Sequence, residues 1–332
     1  MISIDDFLKP AYTHDLTESG VAMAARFLAY QIDHSGGSIY AQLRQVVSEV
    51  AVELAFRRQL SEKGVPFEVK GNMPFSDPNR FDVSLGGHRC EVHTLLVSKR
   101  NQITAIKHDP LGLLETPALL KEHQFSSSNH LEKDLHVFGF LLGLTSDSEG
   151  ETRKAQEAGQ PTYLLHPLKT SWSIPPNWTP LGKLALKSES QTNMRVEIGG
   201  LDIDRTFTSE SMTLEPLKRV YAKNEYYSLA YVHAEKLPEA RLGLHSSEKD
   251  ELYLILPHEW GNIWVYGMEI WMAGYIPQEE FRRKASTTFS GSRVFQYSTT
   301  QTKSLSVPVK ELRPLEKLFS DVIQWKNGRR SW

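Results

Sequence analysis

The sequence predicts an α/β protein whose second half is rich in β-strand, and three features of its patterning carry that prediction. Residues 38–63 place apolar side chains along one stripe of a helix. Residues 80–99 alternate apolar and polar side chains around the pair Gly86–Gly87, which is typical of a β-hairpin with a two-residue turn. Beyond about residue 190, short segments rich in aromatic and β-branched residues are separated by Gly, Pro or Ser.

Length and composition indicate a folded chain of about two domains. The chain has 332 residues, of which 40% are hydrophobic and 23% charged, and this lies within the range of globular proteins. We expect an N-terminal helical element over residues 1–37, an α/β core over residues 38–160 and a β-rich recognition or partner domain over residues 161–332. Residues 263–290 are a candidate for a return to the core.

The individual elements follow from hydrophobic periodicity and from the positions of Gly and Pro. The repeat of 3.6 residues predicts helices, and apolar or alternating runs predict strands. Helices are predicted over residues 16–30, 38–63, 111–124, 278–285 and 310–325. Strands are predicted over residues 66–70 and 134–144 and around residues 194–199, 206–214, 226–233, 251–256 and 263–270. The polar stretch 145–161 is predicted to be a solvent-exposed loop or a domain boundary.

Charge and cysteine content restrict the class of protein. The net charge is −2, so a nucleic-acid site would have to be a local patch. The lone Cys90 excludes an intrachain disulfide and a multi-cysteine metal site, and it favours a reducing, cytoplasmic location. No run approaches ~20 apolar residues, and the first residues lack the pattern of a secretory signal, so we expect no membrane partner.

The hairpin predicts a pair of carboxylates on one face of a sheet. If Gly86–Gly87 is the turn, Asp82 lies opposite Glu91, and both point away from the apolar face that contains Cys90. Like charges directly opposite on a sheet are destabilising unless a cation, a shared proton or another partner neutralises them. A divalent metal is the simplest solution. The alternative is a solvated face on which a neighbouring basic side chain satisfies the charge.

This arrangement resembles the PD-(D/E)XK, or restriction-endonuclease-like, nuclease superfamily. The resemblance lies in the order of a helix with a glutamate, a strand, a strand bearing Asp82, a turn, and Glu91-x-His93 on the returning strand. It implies a mixed sheet flanked by helices as the core. It also implies that Glu53, Asp82 and Glu91 bind metal, with Glu49 as the fallback for the helix glutamate.

His93 stands where that superfamily has a lysine that positions or activates the attacking water. Imidazole can act as a base near neutral pH but is a weaker point charge than an ammonium group. Either His93 takes over this role, or another lysine such as Lys70 reaches the site, or the site is catalytically weak. A histidine that only pairs with Glu91 is the structural alternative.

The resemblance implies a nuclease that hydrolyses DNA phosphodiester bonds with Mg²⁺ or Mn²⁺, in restriction, defence against phage, or repair. Asp82, Glu91, His93 and Glu53 would be its catalytic residues. Cutting both strands needs two sites, so a homodimer is plausible. The alternative function is a degenerate nucleic-acid-binding or assembly module on the same fold. A third reading is a β-rich scaffold protein without metal.

Overall fold

The computed structural model describes residues 1–30, 38–69, 82–122, 125, 131–249, 252–293, 300 and 302–327. The fold is mixed α/β, in agreement with the class that the sequence predicts. Among the described residues, no helix combines the length and the apolar character needed to cross a bilayer.

Helices and strands are numbered here in chain order. The α-helices are α1 (His14–Tyr30), α2 (Ile39–Glu62), α3 (Arg100–His108), α4 (Glu149–Glu157), α5 (Thr170–Ser173), α6 (Gln278–Lys284) and α7 (Leu315–Asn327). The strands of the first half are β1 (Val83–Leu85), β2 (His88–Val97), β3 (Pro117–Lys121), β4 (Leu135–Leu144) and β5 (Leu164–Pro167). The next strands are β6 (Leu184–Ser188), β7 (Met194–Leu201), β8 (Phe207–Leu214), β9 (Arg219–Tyr221), β10 (Ser228–Ala234) and β11 (Leu242–Ser246). The last are β12 (Tyr253–Ile255), β13 (Gly261–Asn262), β14 (Tyr266–Pro277), β15 (Ser286–Thr288) and β16 (Ser304–Pro308).

A mixed four-stranded sheet in the order β1-β2-β4-β14 organises the first half. β1 and β2 form the antiparallel hairpin that the Gly86–Gly87 pair predicts, and both glycines have positive φ as such a turn requires. β4 runs parallel to β2, with α3 in the connection between them, and β14 runs antiparallel to β4. Glu68 adds an isolated antiparallel bridge to Ser84 at the edge of β1.

Side chains alternate across this sheet and divide the core into two layers. Cys90 and Val137 face the layer that contains α1, α2 and α7. Phe138 and Phe140 face the opposite layer, where α3, α6 and the small β15-β16-β3 sheet contribute apolar side chains. The strand β4 is buried on both faces, which explains its unbroken apolar sequence.

The β-rich region consists of two sheets that share one apolar core. The five-stranded sheet has the order β13-β5-β10-β7-β8, and the four-stranded sheet has the order β12-β11-β6-β9. Ile198 and Val232 of the first sheet belong to the same buried cluster as Leu186 and Leu244 of the second. The other face of the five-stranded sheet packs on α1 through residues such as Tyr231.

Buried Arg44 ties α2 to the ends of β4 and β13. Its guanidinium donates to the carbonyl oxygens of Asn262 (2.6 and 2.9 Å) and Ser146 (2.8 Å), and it pairs with Asp147. Burial lowers the pKa of Arg44, and Asp147 opposes that shift. One side chain thus satisfies backbone acceptors of two separate segments.

The local structure differs from the sequence-based expectation in three places. Residues 111–124 were predicted to be helical, but a 3-10 helix over Pro110–Glu115 gives way to β3, which pairs with β16. The polar stretch 145–161 contains α4, which begins with a capping box of Ser148 and Glu151. The pattern did not predict α3, because a single fully buried residue, Ile106, gives the helix no apolar stripe.

Candidate metal centre

The β1–β2 hairpin sets the face on which the site forms. Its register pairs Val83 with Cys90 and Leu85 with His88, as the two-residue turn predicts. Val83 and Cys90 are fully buried against the helical layer. Glu91 and His93 alternate with the buried residues of β2 and therefore lie on the opposite face.

The parallel strand β4 brings a third ligand to this face. Its register places His136 beside Glu91 and Phe138 beside His93. Neighbouring residues of paired strands point to the same face of a sheet. The ring centroids of His93 and His136 are 5.1 Å apart, and that of Phe138 lies 5.1 Å from His93.

Glu91, His93 and His136 bring three potential metal-ligating atoms together. His93 Nε2 lies 2.9 Å from His136 Nδ1 and 3.6 Å from Glu91 Oε2, and His136 Nδ1 lies 3.9 Å from the same oxygen. A circle through these three atoms has a radius of about 2.0 Å, close to the ~2.0–2.2 Å of zinc bonds to nitrogen and oxygen. One ion can therefore reach all three atoms with little movement of the side chains.

Gln278 orients the buried imidazole of this set. Gln278 is the first residue of α6, and its Oε1 lies 2.5 Å from His136 Nε2. Because the carbonyl oxygen only accepts, His136 Nε2 carries the proton and donates it, which leaves the lone pair of Nδ1 directed at Glu91 and His93. The Gln278 backbone N–H donates to the Asp134 carbonyl (2.8 Å), so the start of α6 is fixed to the start of β4.

Asp134 anchors β2 to the same end of the sheet. Its buried carboxylate accepts from the backbone N–H of Arg89 (3.0 Å), from the Arg89 guanidinium (2.9 Å) and from the Leu131 N–H (2.7 Å). These bonds fix Arg89 and Asp134, which lie two positions before Glu91 and His136 respectively. The spacing of the metal-ligating atoms is therefore set by backbone anchors on both strands.

Asp82 lies beside β2, and a backbone N–H of that strand holds one oxygen of its carboxylate. The regular ladder ends at Val83, and the Asp82 N–H donates to the Cys90 carbonyl (3.1 Å). Its Oδ2 accepts the Val92 N–H at 2.7 Å. Asp82 and Glu91 are thus not a directly opposed ladder pair, which differs from the expectation drawn from the turn.

The helix glutamates are placed on α2, which packs on the other face of the sheet. Glu53 forms an ion pair with Arg57, whose guanidinium also donates to the Asp82 carbonyl oxygen (2.9 Å). Glu49 accepts from Gln45 (3.0 Å). Within the described part of the chain, the group that could hold a metal includes Glu91 and contains neither of these glutamates.

The site is buried on one side and open on the other. The His136 side chain is 2% exposed, whereas those of His93 and Glu91 are 22% and 26% exposed. Phe281 packs near His136 with a centroid distance of 5.8 Å. The apolar side excludes water from His136, and the exposed side can admit a substrate to Glu91 and His93.

Cys90 is a core residue, as the face argument predicts. It is fully buried, and this burial raises the pKa of its thiol well above the ordinary value. The negative carboxylates of Asp82, Glu91 and Asp134 add to that shift. The thiol therefore stays protonated and behaves as a small apolar group.

The donor set fits some divalent ions better than others. Mg²⁺ prefers oxygen ligands and keeps several waters, whereas two of the three ligating atoms here are imidazole nitrogens. Imidazole suits ions such as Zn²⁺ and Fe²⁺, and Mn²⁺ prefers oxygen as Mg²⁺ does. The group of Glu91, His93 and His136 thus does not fit Mg²⁺, and any binding of Mg²⁺ would have to rely on the carboxylates of Asp82 and Glu91.

The sequence indicated Glu91 and His93 but missed the partners that complete the set. His136 lies in the apolar run 134–144, whose pattern predicts a strand and no ligand. Its register beside Glu91 depends on a parallel pairing across about 45 residues. Gln278 lies in the first turn of a helix and has no motif at all. Lys70, the alternative to the missing lysine, lies outside the described residues.

Comparisons with protein-family models, with curated proteins and with solved structures found no match to this chain. A functional assignment therefore rests on the geometry of the site and on its chemistry.

Proposed function

We propose that this protein is a metal-dependent nuclease that hydrolyses DNA phosphodiester bonds at the site containing Glu91. The observation that carries the proposal is the set of three converging ligand atoms of Glu91, His93 and His136, in a partly exposed region of one face of the sheet. Carboxylate and imidazole ligands with an open side are typical of hydrolytic metal centres. Glu91 and His93 lie on β2, where the PD-(D/E)XK resemblance expects catalytic residues, and His136 lies on the neighbouring β4.

The element order around the site supports the same proposal. A helix that carries Glu53 is followed by the extended residue Glu68, by β1 next to Asp82, and by β2 with Glu91 and His93. The parallel neighbour β4 and the helix α3 between the two strands complete a mixed sheet with helices on it. The resemblance implies a mixed sheet flanked by helices, and this element order supports the proposal.

The residues of the chain have separate tasks in this proposal. A bound divalent ion would polarise the phosphate and lower the pKa of an attacking water. Glu91 and His93 hold the exposed side of the site, and His136 holds the buried side in the tautomer set by Gln278. Asp82, fixed on the Val92 N–H, lies at the edge where the substrate would enter.

His93 has a different part from the lysine of the superfamily. Its Nε2 points at Glu91 and at His136, so it is placed as a metal ligand. A histidine whose Nε2 binds an ion cannot also remove a proton with that nitrogen. In this proposal the water is therefore activated by the ion, without a lysine.

A cleavage assay on supercoiled plasmid and on linear DNA tests the proposal. The wild type is assayed with Zn²⁺, Mn²⁺, Mg²⁺ or EDTA, beside Glu91→Ala and Asp82→Ala. Glu239→Ala is the matched control, because Glu239 is an exposed carboxylate in the β-rich region. We expect cutting that needs a divalent ion, that falls at least about a hundred-fold in Glu91→Ala, and that is unchanged in Glu239→Ala.

Two outcomes would contradict the proposal. Folded wild type that cuts neither DNA form with any ion would exclude a DNA nuclease and favour the degenerate binding or assembly module. Cutting that survives Glu91→Ala would place the active site elsewhere. Cutting both strands of DNA needs two active sites, which suggests a homodimer. Sedimentation of the same samples determines whether the protein that cuts both strands is a dimer.

A further inference from the structure

We propose that Glu91, His93 and His136 form a three-ligand site for an imidazole-preferring ion of the Zn²⁺ class, and that Gln278 is its positioning residue. The inference rests on the proposed function because it concerns the same site, and it adds the class of ion that the site binds. Its test measures metal binding without DNA, so the failure of cleavage and the failure of binding are separate results.

The identity of the ligand atoms determines the class of ion. Two neutral imidazole nitrogens and one carboxylate oxygen form a set typical of zinc and of non-haem iron sites. The affinity of such a set rises from Mn²⁺ towards Zn²⁺, and Mg²⁺ lies below both. The three atoms belong to β2 and β4 alone, and an ion close to their plane keeps further coordination positions for water or substrate.

The support around the ligands shows that the geometry is fixed before an ion binds. His136 is buried, packs near Phe281 with the two rings tilted, and donates to Gln278, so its ring has one orientation and one tautomer. Gln278 is 1% exposed and is itself fixed through its backbone N–H to β4. A buried glutamine whose side-chain carbonyl meets the outer nitrogen of a ligand histidine has the role of an outer-shell partner in metal sites.

The ring of His93 completes the same arrangement. Its Nε2 is 2.9 Å from His136 Nδ1, closer than two unprotonated nitrogens would lie. Because Nδ1 of His136 carries no proton, His93 Nε2–H donates to it in the metal-free protein. An ion takes the place of that proton on Nε2: a neutral His93 then carries its proton on Nδ1, and a doubly protonated His93 keeps the Nδ1 proton and releases the other to solvent.

Titration with Zn²⁺, Co²⁺, Mn²⁺ and Mg²⁺ tests the inference on the whole chain. Calorimetry gives affinity and stoichiometry, and the visible spectrum of Co²⁺ reports nitrogen ligation directly. We expect one Zn²⁺ or Co²⁺ per chain, weaker binding of Mn²⁺, and no displacement of Co²⁺ by millimolar Mg²⁺. Displacement of Co²⁺ by Mg²⁺, or a Co²⁺ spectrum of oxygen ligands alone, would overturn the inference.

Variants identify the ligands and the role of Gln278. We expect His93→Ala and His136→Ala to lose the Co²⁺ spectrum, and His245→Ala, which changes an exposed histidine of β11, to keep it. Gln278→Leu removes the acceptor for His136 Nε2 and should weaken Zn²⁺ binding by about 10–100-fold. Gln278→Glu keeps an acceptor at that place and should restore most of the affinity.

The variants also separate positioning from folding. Far-ultraviolet circular dichroism and thermal melting without metal show which variants fold. If buried His136→Ala fails to fold, the more exposed His93→Ala still decides whether the imidazoles bind the ion. Equal Zn²⁺ affinity in Gln278→Leu, Gln278→Glu and the wild type would exclude the positioning role, and an unchanged spectrum in His93→Ala would exclude the site.

Discussion

The backbone of α2 approaches α1 closely at Gly20, and Gly20→Ala is a sharp test of that packing. A Cβ at Gly20 would lie 2.5 Å from the carbonyl oxygen of Val47 and 2.9 Å from its Cα. Both are backbone atoms, which cannot rotate away as a flexible side chain could. To reach an ordinary contact of about 3.4 Å, the helices would have to separate locally by about 0.9 Å.

The magnitude of the effect follows from two opposing contributions. Alanine in a helix is favoured over glycine by about 0.5–1 kcal/mol. Overpacking a close-packed interface costs about 1–3 kcal/mol, and this interface includes buried Leu16 and Ala24 of α1 and Ala51 of α2. The clash with backbone places the cost of overpacking at about 3 kcal/mol, so we expect a net loss of stability of about 2 kcal/mol.

Urea unfolding followed by circular dichroism measures this loss. Gly150→Ala is the control, because Gly150 also lies in a helix and a Cβ there meets nothing within 4 Å. We expect the control to leave the free energy of unfolding unchanged or to raise it by up to about 1 kcal/mol. If Gly20→Ala were as stable as Gly150→Ala, the close approach of α1 to α2 would be refuted.

Three further predictions concern other parts of the molecule. Arg44→Met should lower the free energy of unfolding by about 2–4 kcal/mol in urea titrations, because buried carbonyl oxygens lose their donor; a loss below about 1 kcal/mol would contradict this. Burial lowers the pKa of His166 and of His233 below the ordinary value of 6.5. The unfolded chain therefore takes up protons at a higher pH than the folded protein does. The free energy of unfolding is highest above about pH 6.5 and decreases as the pH falls through the lowered pKa values. Urea unfolding at about pH 7.5 and 5.5 should show this slope, and it should be smaller in the double His→Gln variant. Gly86→Ala should destabilise the hairpin by about 1 kcal/mol or more, since Gly86 has φ +59° and a Cβ there meets the ring of Trp325; unchanged melting and tryptophan fluorescence would speak against that contact.

Local pattern was sufficient for the elements whose amphipathic or apolar sequence is unambiguous. The stripe over residues 38–63 predicts α2 to within a residue or two of its ends, and the Gly86–Gly87 turn predicts the register of Val83 with Cys90. The dense apolar run predicts β4. These elements follow from side-chain periods of 3.6 and 2, which neighbouring residues alone determine.

Local pattern failed where distant pairing determines the structure. β3 forms because residues 117–121 pair with β16, about 190 residues later in the chain. The helical propensity of the same segment does not decide its state, since tertiary contacts override so weak a preference. The helix α3 is largely exposed, so its sequence lacks the apolar stripe by which a helix is usually detected.

Some residues of the candidate site could be predicted from local pattern, and others depend on distant pairing. The sequence by itself determined that Glu91 and His93 share a face, because two residues on one strand at a spacing of two must do so. Only the tertiary structure brought His136 beside Glu91, through the parallel pairing of β4, and placed Gln278 behind it through the antiparallel β14. Alternation along a strand is a local property of the backbone, whereas the lateral neighbours of a strand depend on which segments bury their apolar faces together, and no single segment encodes that choice.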